Sequence, residues 1–123
     1  MRKSILTLGC MAALGACAGG TMKAYYSKSD VAPVAVEKAA DDALVMTYRV
    51  FPETRFYSDG VNYITEGDAL KVYIDRCEVG NECKPMARSD IPLDDRWSAR
   101  VRLPYNGGRV VVVHADGEEQ VYP

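Results

Sequence analysis

A period of two in the apolar residues runs through most of the chain after Ala43. Side chains on a strand alternate between its two faces, so this pattern predicts strands with one buried face, whereas an amphipathic helix would need a period near 3.6. The inward positions would be Leu44, Met46, Tyr48 and Val50, then Leu70, Val72 and Ile74, and then Trp97, Ala99, Val101 and Leu103.

Turn sequences separate these runs. Asp59-Gly60, Gly67-Asp68, Asn106-Gly107 and Asp116-Gly117 are typical of tight turns. Val110 to Val113 is continuously apolar, which favours a strand buried on both faces. A chain of 123 residues with 48% hydrophobic and 26% charged residues suits one folded domain. We therefore predict an all-β fold, a small β-sandwich of six or seven strands over residues 43–123.

Three runs resemble strands of bacterial immunoglobulin-like domains. They are Glu66 to Tyr73, Asp95 to Pro104 with its Trp97-Ser98 pair, and Gly108 to Gly117. Arg96 stands where those domains commonly have glycine before the tryptophan, and small sandwiches of transthyretin type share the pattern. The resemblance implies an immunoglobulin-like β-sandwich and no catalytic residues, because such a fold does not by itself assign a function.

The N-terminus has the order of a secretory signal. Arg2 and Lys3 precede an apolar run of about ten residues, which is too short to span a bilayer core of ~30 Å. Leu14-Gly15-Ala16-Cys17 resembles the lipobox of bacterial lipoproteins. The resemblance implies a signal peptide over residues 1–16, cleavage before Cys17 and a covalent lipid on Cys17. An ordinary cleaved signal is the alternative.

Cleavage before Cys17 would leave 107 of the 123 residues, without two of the 15 basic residues and with all 17 acidic ones, so the net charge would be −4. Ala18 follows the cysteine, and in enteric lipoproteins the absence of Asp at that position directs the protein to the outer membrane. We therefore expect a lipid-anchored, periplasm-facing envelope protein that carries a covalent lipid on Cys17 and uses no cofactor. Residues 17–42, rich in small and polar side chains up to Pro33, are predicted to be a tether. Within it, Val34 to Asp42 is ambiguous between extended chain and a short helix of at most one or two turns.

Cys77 and Cys83 are predicted to form a disulfide, because an exported protein meets an oxidising compartment. A redox-active pair lacks the Cys-x-x-Cys spacing, and a metal site lacks further ligands. The stapled loop, which carries Glu78 and Glu82, is also a candidate recognition hairpin.

Arg96, Arg100 and Arg102 are even-numbered positions of one predicted strand, which would place them on one face. They either pair with nearby aspartates or form a basic surface for an acidic partner or anionic headgroups. The formal net charge of −2 argues against a dedicated nucleic-acid binder.

Catalytic and metal-binding residues are not predicted. His114 has no serine in a nucleophile-like turn as its partner, and Asp90, Asp94 and Asp95 lack a calcium-loop spacing. No substrate for an enzyme is indicated.

The sequence therefore predicts a non-enzymatic lipoprotein that binds a protein partner as an accessory or assembly component of secretion or envelope machinery. The alternative is a periplasmic inhibitor of a cell-wall hydrolase such as lysozyme. Ser58 to Tyr63 resembles the Ser-Gly-x-x-Tyr motif of lipoprotein lysozyme inhibitors, with Asp59 as an insertion.

Overall fold

The computed structural model describes residues 26–90 and 93–123, so the predicted signal peptide and Cys17 lie outside the described residues. Within these ranges the chain has one short helix, α1 (Lys28–Val31), and ten strands. The strands are β1 (Ala35–Ala40), β2 (Ala43–Arg49), β3 (Phe56–Tyr57), β4 (Gly60–Glu66), β5 (Ala69–Ile74), β6 (Cys77–Glu78), β7 (Ala87–Arg88), β8 (Ser98–Pro104), β9 (Arg109–His114) and β10 (Gly117–Tyr122).

The strands form a three-stranded sheet in the order β1-β2-β8 and a five-stranded sheet in the order β10-β9-β5-β4-β7. A small third sheet pairs β3 with β6. The predicted all-β, sandwich-like fold is confirmed. β5 and β9 run parallel, since the chain crosses to the other sheet as β8 between them. This pair departs from the fully antiparallel sheets of immunoglobulin domains.

The core lies between the two larger sheets. On β2 and β8 the predicted alternation is confirmed, because every second side chain from Leu44 and from Ala99 is buried. The completely or almost completely buried apolar residues include Leu44, Met46, Tyr48, Val61, Val72, Ala99, Val101, Leu103, Val110 and Val112. Val111 is also buried on the other face of β9, as the continuous valine run predicts.

The predicted tether is too long. Residues 26–42 belong to the folded domain: β1 pairs with β2, with Val36 opposite Met46, and Tyr26 and Val31 are buried in the core. The tether prediction is therefore wrong for residues 26–42. Tyr26 and Val31 fill single positions in the core, and isolated apolar residues of this kind leave no period in a sequence.

At one end of the sandwich, several turns lie against one another. Val50 N donates to the Trp97 carbonyl, Asp75 N donates to the Gly60 carbonyl, and β3 pairs with β6 beside them. We call this the disulfide end, formed by residues 50–60, 75–83 and 94–97. In the part of the chain that the structure describes, no helix is long and apolar enough to cross a bilayer.

Candidate functional site

The predicted pairing of Cys77 with Cys83 is present, with the two Cα atoms 6.2 Å apart. The sulfurs lie within 4.8 Å of a carboxylate oxygen of Asp75. In the disulfide neither sulfur is a thiolate, which is the form that binds metal. Glu78 accepts from Arg55 at 3.0 Å, while Glu82 is exposed. One of the two acidic candidates on the loop is therefore already paired.

Trp97 lies at the end of a tight turn that directs its side chain toward solvent. Its φ is +62°, the left-handed region, which costs a bulky residue of order 1–3 kcal/mol. Asp94 builds the turn: one carboxylate oxygen accepts from the backbone N of Arg96 and of Ser98, each at 2.9 Å. These two bonds hold the pKa of Asp94 below its usual range. The prediction that Trp97 begins the inward face of β8 is wrong, because the strand starts at Ser98 and Trp97 is 47% exposed.

A cleft of about 260 Å³ opens beside Trp97. We call it the aromatic cleft; its lining residues are Val50, Phe51, Pro52, Glu53, Phe56, Tyr57, Ser58, Leu93 and Trp97. Phe51 is 50% exposed at its edge, and the Arg76 guanidinium lies 4.0 Å from the centre of the Phe56 ring. The volume is below the ~300 Å³ of the smallest ligand pockets, so one large side chain fits it better than a cofactor does.

Exposed arginines continue from the cleft along the outer face of the three-stranded sheet. Arg100 and Arg102 share that face, as predicted, while Arg96 lies in the turn before the strand. Arg49 joins the two groups: its Nε donates to the Arg96 carbonyl at 3.3 Å, and its guanidinium lies 6.0 Å from the Phe51 ring centre. We call Arg49, Arg96, Arg100 and Arg102 the arginine strip.

In the described part of the chain, no carboxylate forms a close ion pair with the arginine strip. Among residues 26–90 and 93–123 no carboxylate lies within 4.0 Å of these four guanidinium groups, and every acidic residue of the chain falls in those ranges. The alternative in which the arginines pair with nearby aspartates is therefore not what the structure shows. The strip thus places four positive charges together on a chain of negative net charge. Asp94 feels the charges of Arg96 and Arg49, which add to the effect of its two backbone hydrogen bonds in lowering its pKa.

Two carboxyl groups, those of Asp59 and Asp75, meet next to Ser58, which lines the cleft. Asp59 is 3% exposed, and one of its oxygens accepts from Arg88 at 3.3 Å. The other oxygen and one oxygen of Asp75 are buried without a hydrogen-bond partner in the described chain. Burial, together with the charge and hydrogen bond of Asp59, raises the pKa of Asp75 to about 6. A proton shared by the two carboxyls would satisfy both oxygens.

The surroundings of this acid pair are also buried. The Tyr48 and Ser58 hydroxyls are 2.9 Å apart, and burial raises the pKa of Tyr48. Ser58, Asp59 and Gly60 are all buried, so this part of the Ser58 to Tyr63 run does not protrude as an inhibitory turn would. Nothing in the sequence pattern connects Asp59 with Asp75, which is why the pair was not predicted.

The remaining candidates for chemistry lie apart from the cleft. His114 is 5% exposed and its Nε2 is 3.0 Å from a Glu119 oxygen, with no hydrogen bond to Ser58, Ser89 or Ser98 in the described chain. Asp94 holds the Trp97 turn, and Asp90 and Asp95 are exposed.

A larger hollow of about 390 Å³ lies at the opposite end of the sandwich, around residues 104–109. Asp68 and Arg109 form a two-bond ion pair there at 3.1 Å. Its charged groups are therefore already neutralised by each other, and none of the most exposed large apolar side chains lines it.

Comparison with known proteins finds no family model, no curated protein and no solved structure that matches the chain.

Proposed function

We propose that this chain is a lipid-anchored, non-enzymatic envelope lipoprotein that binds a protein partner through the aromatic cleft. It would serve as an accessory or assembly component of secretion or envelope machinery. The observation that carries the proposal is the display of Trp97: a strained turn built by Asp94 holds the chain's one tryptophan half-exposed beside a cleft. Partly exposed aromatic residues around a pocket are the usual anchors of protein interfaces.

The proposed lipid anchor, Cys17, is only a short stretch of chain away from the end of the sandwich that carries the aromatic cleft. Eight residues separate Cys17 from Tyr26, so even a fully extended chain would reach only about 30 Å. Tyr26 contacts the disulfide end, with the Arg76 guanidinium 5.7 Å from its ring centre. A lipid on Cys17 would hold the cleft near the bilayer and raise its effective concentration toward a membrane-associated partner.

Replacing Cys17 with serine should release the protein from the membrane fraction and abolish partner capture, while the fold is unchanged. The measurement is chemical crosslinking of the tagged full-length chain in living cells, followed by mass spectrometry of the captured proteins. We expect one dominant envelope partner for the unmodified chain. Several acyl chains anchor a protein firmly, so their loss should remove nearly all of it from the membrane.

A second pair of variants separates tethering from binding. Trp97→Ala should stay in the membrane fraction and lose the partner, whereas Ile64→Ala, at a 41% exposed position on the five-stranded sheet, should keep it. Capture of the partner by the Cys17→Ser chain at an unchanged level would refute the tethering role. Recovery of only lipid and abundant porins would refute the protein-binding function.

A further inference from the structure

We propose that the partner segment is acidic and extended, and that it carries one bulky apolar side chain. The aromatic cleft would take the apolar side chain, and the arginine strip would pair with the carboxylates. This inference rests on the proposed function and specifies the chemistry of the partner.

The cleft sets the apolar part of the segment. Phe51 and Trp97 are each about half-exposed at its edges, and Leu93 and Phe56 line it. Two backbone bonds to Asp94 fix the turn, so the backbone that carries the Trp97 ring is preorganised and loses little entropy when a partner covers the ring. A cleft of about 260 Å³ accepts one side chain such as Phe or Leu.

The arginine strip determines the charge and the extended conformation that we infer for the partner segment. Arg100 and Arg102 are two residues apart on β8, so their Cα atoms are ~7 Å apart. Acidic residues at alternate positions of an extended segment repeat at the same ~7 Å. Arg49 lies opposite Ser98 and is thus the diagonal neighbour of Arg100. Guanidinium groups without internal partners bind carboxylates in two-bond pairs.

A protein segment fits this surface better than an anionic bilayer does. The aromatic cleft is concave, so a flat bilayer cannot fill it as a single inserted side chain can. The exposed Asp95 lies two residues before Trp97 and would face the headgroups of an anionic membrane if Trp97 inserted into it. Glu53 lines the cleft but is paired with Arg76 at 2.7 Å, so it does not present a free negative charge to an acidic segment.

Trp97 is the only tryptophan in the chain, so its fluorescence reports directly on the cleft. We would titrate the full-length chain in detergent micelles with a twelve-residue peptide that has aspartate at alternate positions around a central phenylalanine. The expected result is a saturable blue shift of Trp97 emission. Binding should weaken at least tenfold when the phenylalanine is alanine, and at least tenfold when the aspartates are asparagine. It should also weaken with added salt.

The matched variants test the strip. Replacing Arg100 and Arg102 together with glutamine should weaken binding at least tenfold. Arg109→Gln removes an arginine that is already paired with Asp68 at the opposite end and should leave binding unchanged.

The inference would be overturned by no saturable binding of the aspartate peptide up to about 1 mM, by equal binding of the asparagine peptide, or by tighter binding of a lysine peptide. A blue shift with phosphatidylglycerol vesicles but not with the peptide would overturn it in favour of a membrane surface. In each case the partner captured in cells, and its loss in Trp97→Ala, would still test the proposed function separately.

Discussion

Asp75→Asn should raise the free energy of unfolding above pH 7 by about 1–3 kcal/mol. In the folded state burial and Asp59 raise the pKa of Asp75 from its ordinary 3.8 to about 6. The folded protein therefore holds more protons than the unfolded chain between these two values. Stability contributed by the protonated carboxyl is fully present below about pH 4 and is lost as the pH rises through about 6. Asparagine keeps the shape, cannot ionise and removes that loss.

The measurement is urea unfolding of Asp75→Asn and the unmodified protein from pH 4 to pH 8. The difference between the two stabilities should grow with pH across this range and level off above about pH 7, since other carboxylates contribute equally to both proteins. Asp95→Asn, at an exposed position, is the control and should show no such growth. A constant difference across the range, or a variant less stable at pH 8, would show that the two carboxyls do not share a proton.

Gly60→Ala should destabilise the protein by about 3–5 kcal/mol, one of the largest effects of any single substitution. A Cβ on Gly60 would collide with the Ala87 carbonyl oxygen and would lie 2.8 Å from Pro85 Cγ and 2.9 Å from Arg88 Cα. β7 would have to leave β4, and Arg88 would leave the buried Asp59 without its partner. The measurement is the midpoint of urea unfolding, with unfolding monitored by circular dichroism.

Gly117→Ala is the matched control. The φ of Gly60 is +155° and that of Gly117 is +151°, but nothing lies within 4 Å of a Cβ on Gly117. The cost of the positive φ is therefore similar in both variants, and the difference between their stabilities mainly reports the collision. Equal stabilities of the two variants would show that β7 yields freely and that the disulfide end is loosely packed.

The sequence predicted the regular part of the sandwich well. On β2 and β8 one face packs against the core and the other faces solvent. Apolar and polar residues therefore alternate in the sequence from Leu44 and from Ala99. The pairing of Cys77 with Cys83 was predictable because the two cysteines are close in sequence and only six residues apart.

The candidate site was less predictable because it depends on turns and on contacts between distant segments. Trp97 continues the alternation of β8, yet the Asp94 turn takes it out of the strand. Asp59 directly precedes β4 and Asp75 directly follows β5, so the antiparallel pairing of these two strands brings the carboxyls together. β1 carries polar and small residues because it is an edge strand with little buried surface, and so it looked like a tether.

Several features that lower the stability of the fold lie at the disulfide end. The left-handed Trp97 and the exposed Phe51 lie at the edges of the aromatic cleft. The oxygens of Asp59 and Asp75 that have no hydrogen-bond partner in the described chain belong to the same end of the sandwich. Local strain and buried polar groups of this kind persist where function requires them. The concentration of these features supports the aromatic cleft as the working surface of the protein.

The most direct test of that claim is a photocrosslinking amino acid placed at position 52 of the full-length chain in living cells, because the exposed Pro52 lines the aromatic cleft and its replacement leaves Trp97 in place. The same group at position 64, on the five-stranded sheet, is the control. We predict one discrete crosslinked protein at position 52 and none at position 64, with the crosslink lost when Cys17 is serine. The same protein crosslinked equally from position 64, or no protein from position 52, would contradict a partner-binding role for the aromatic cleft.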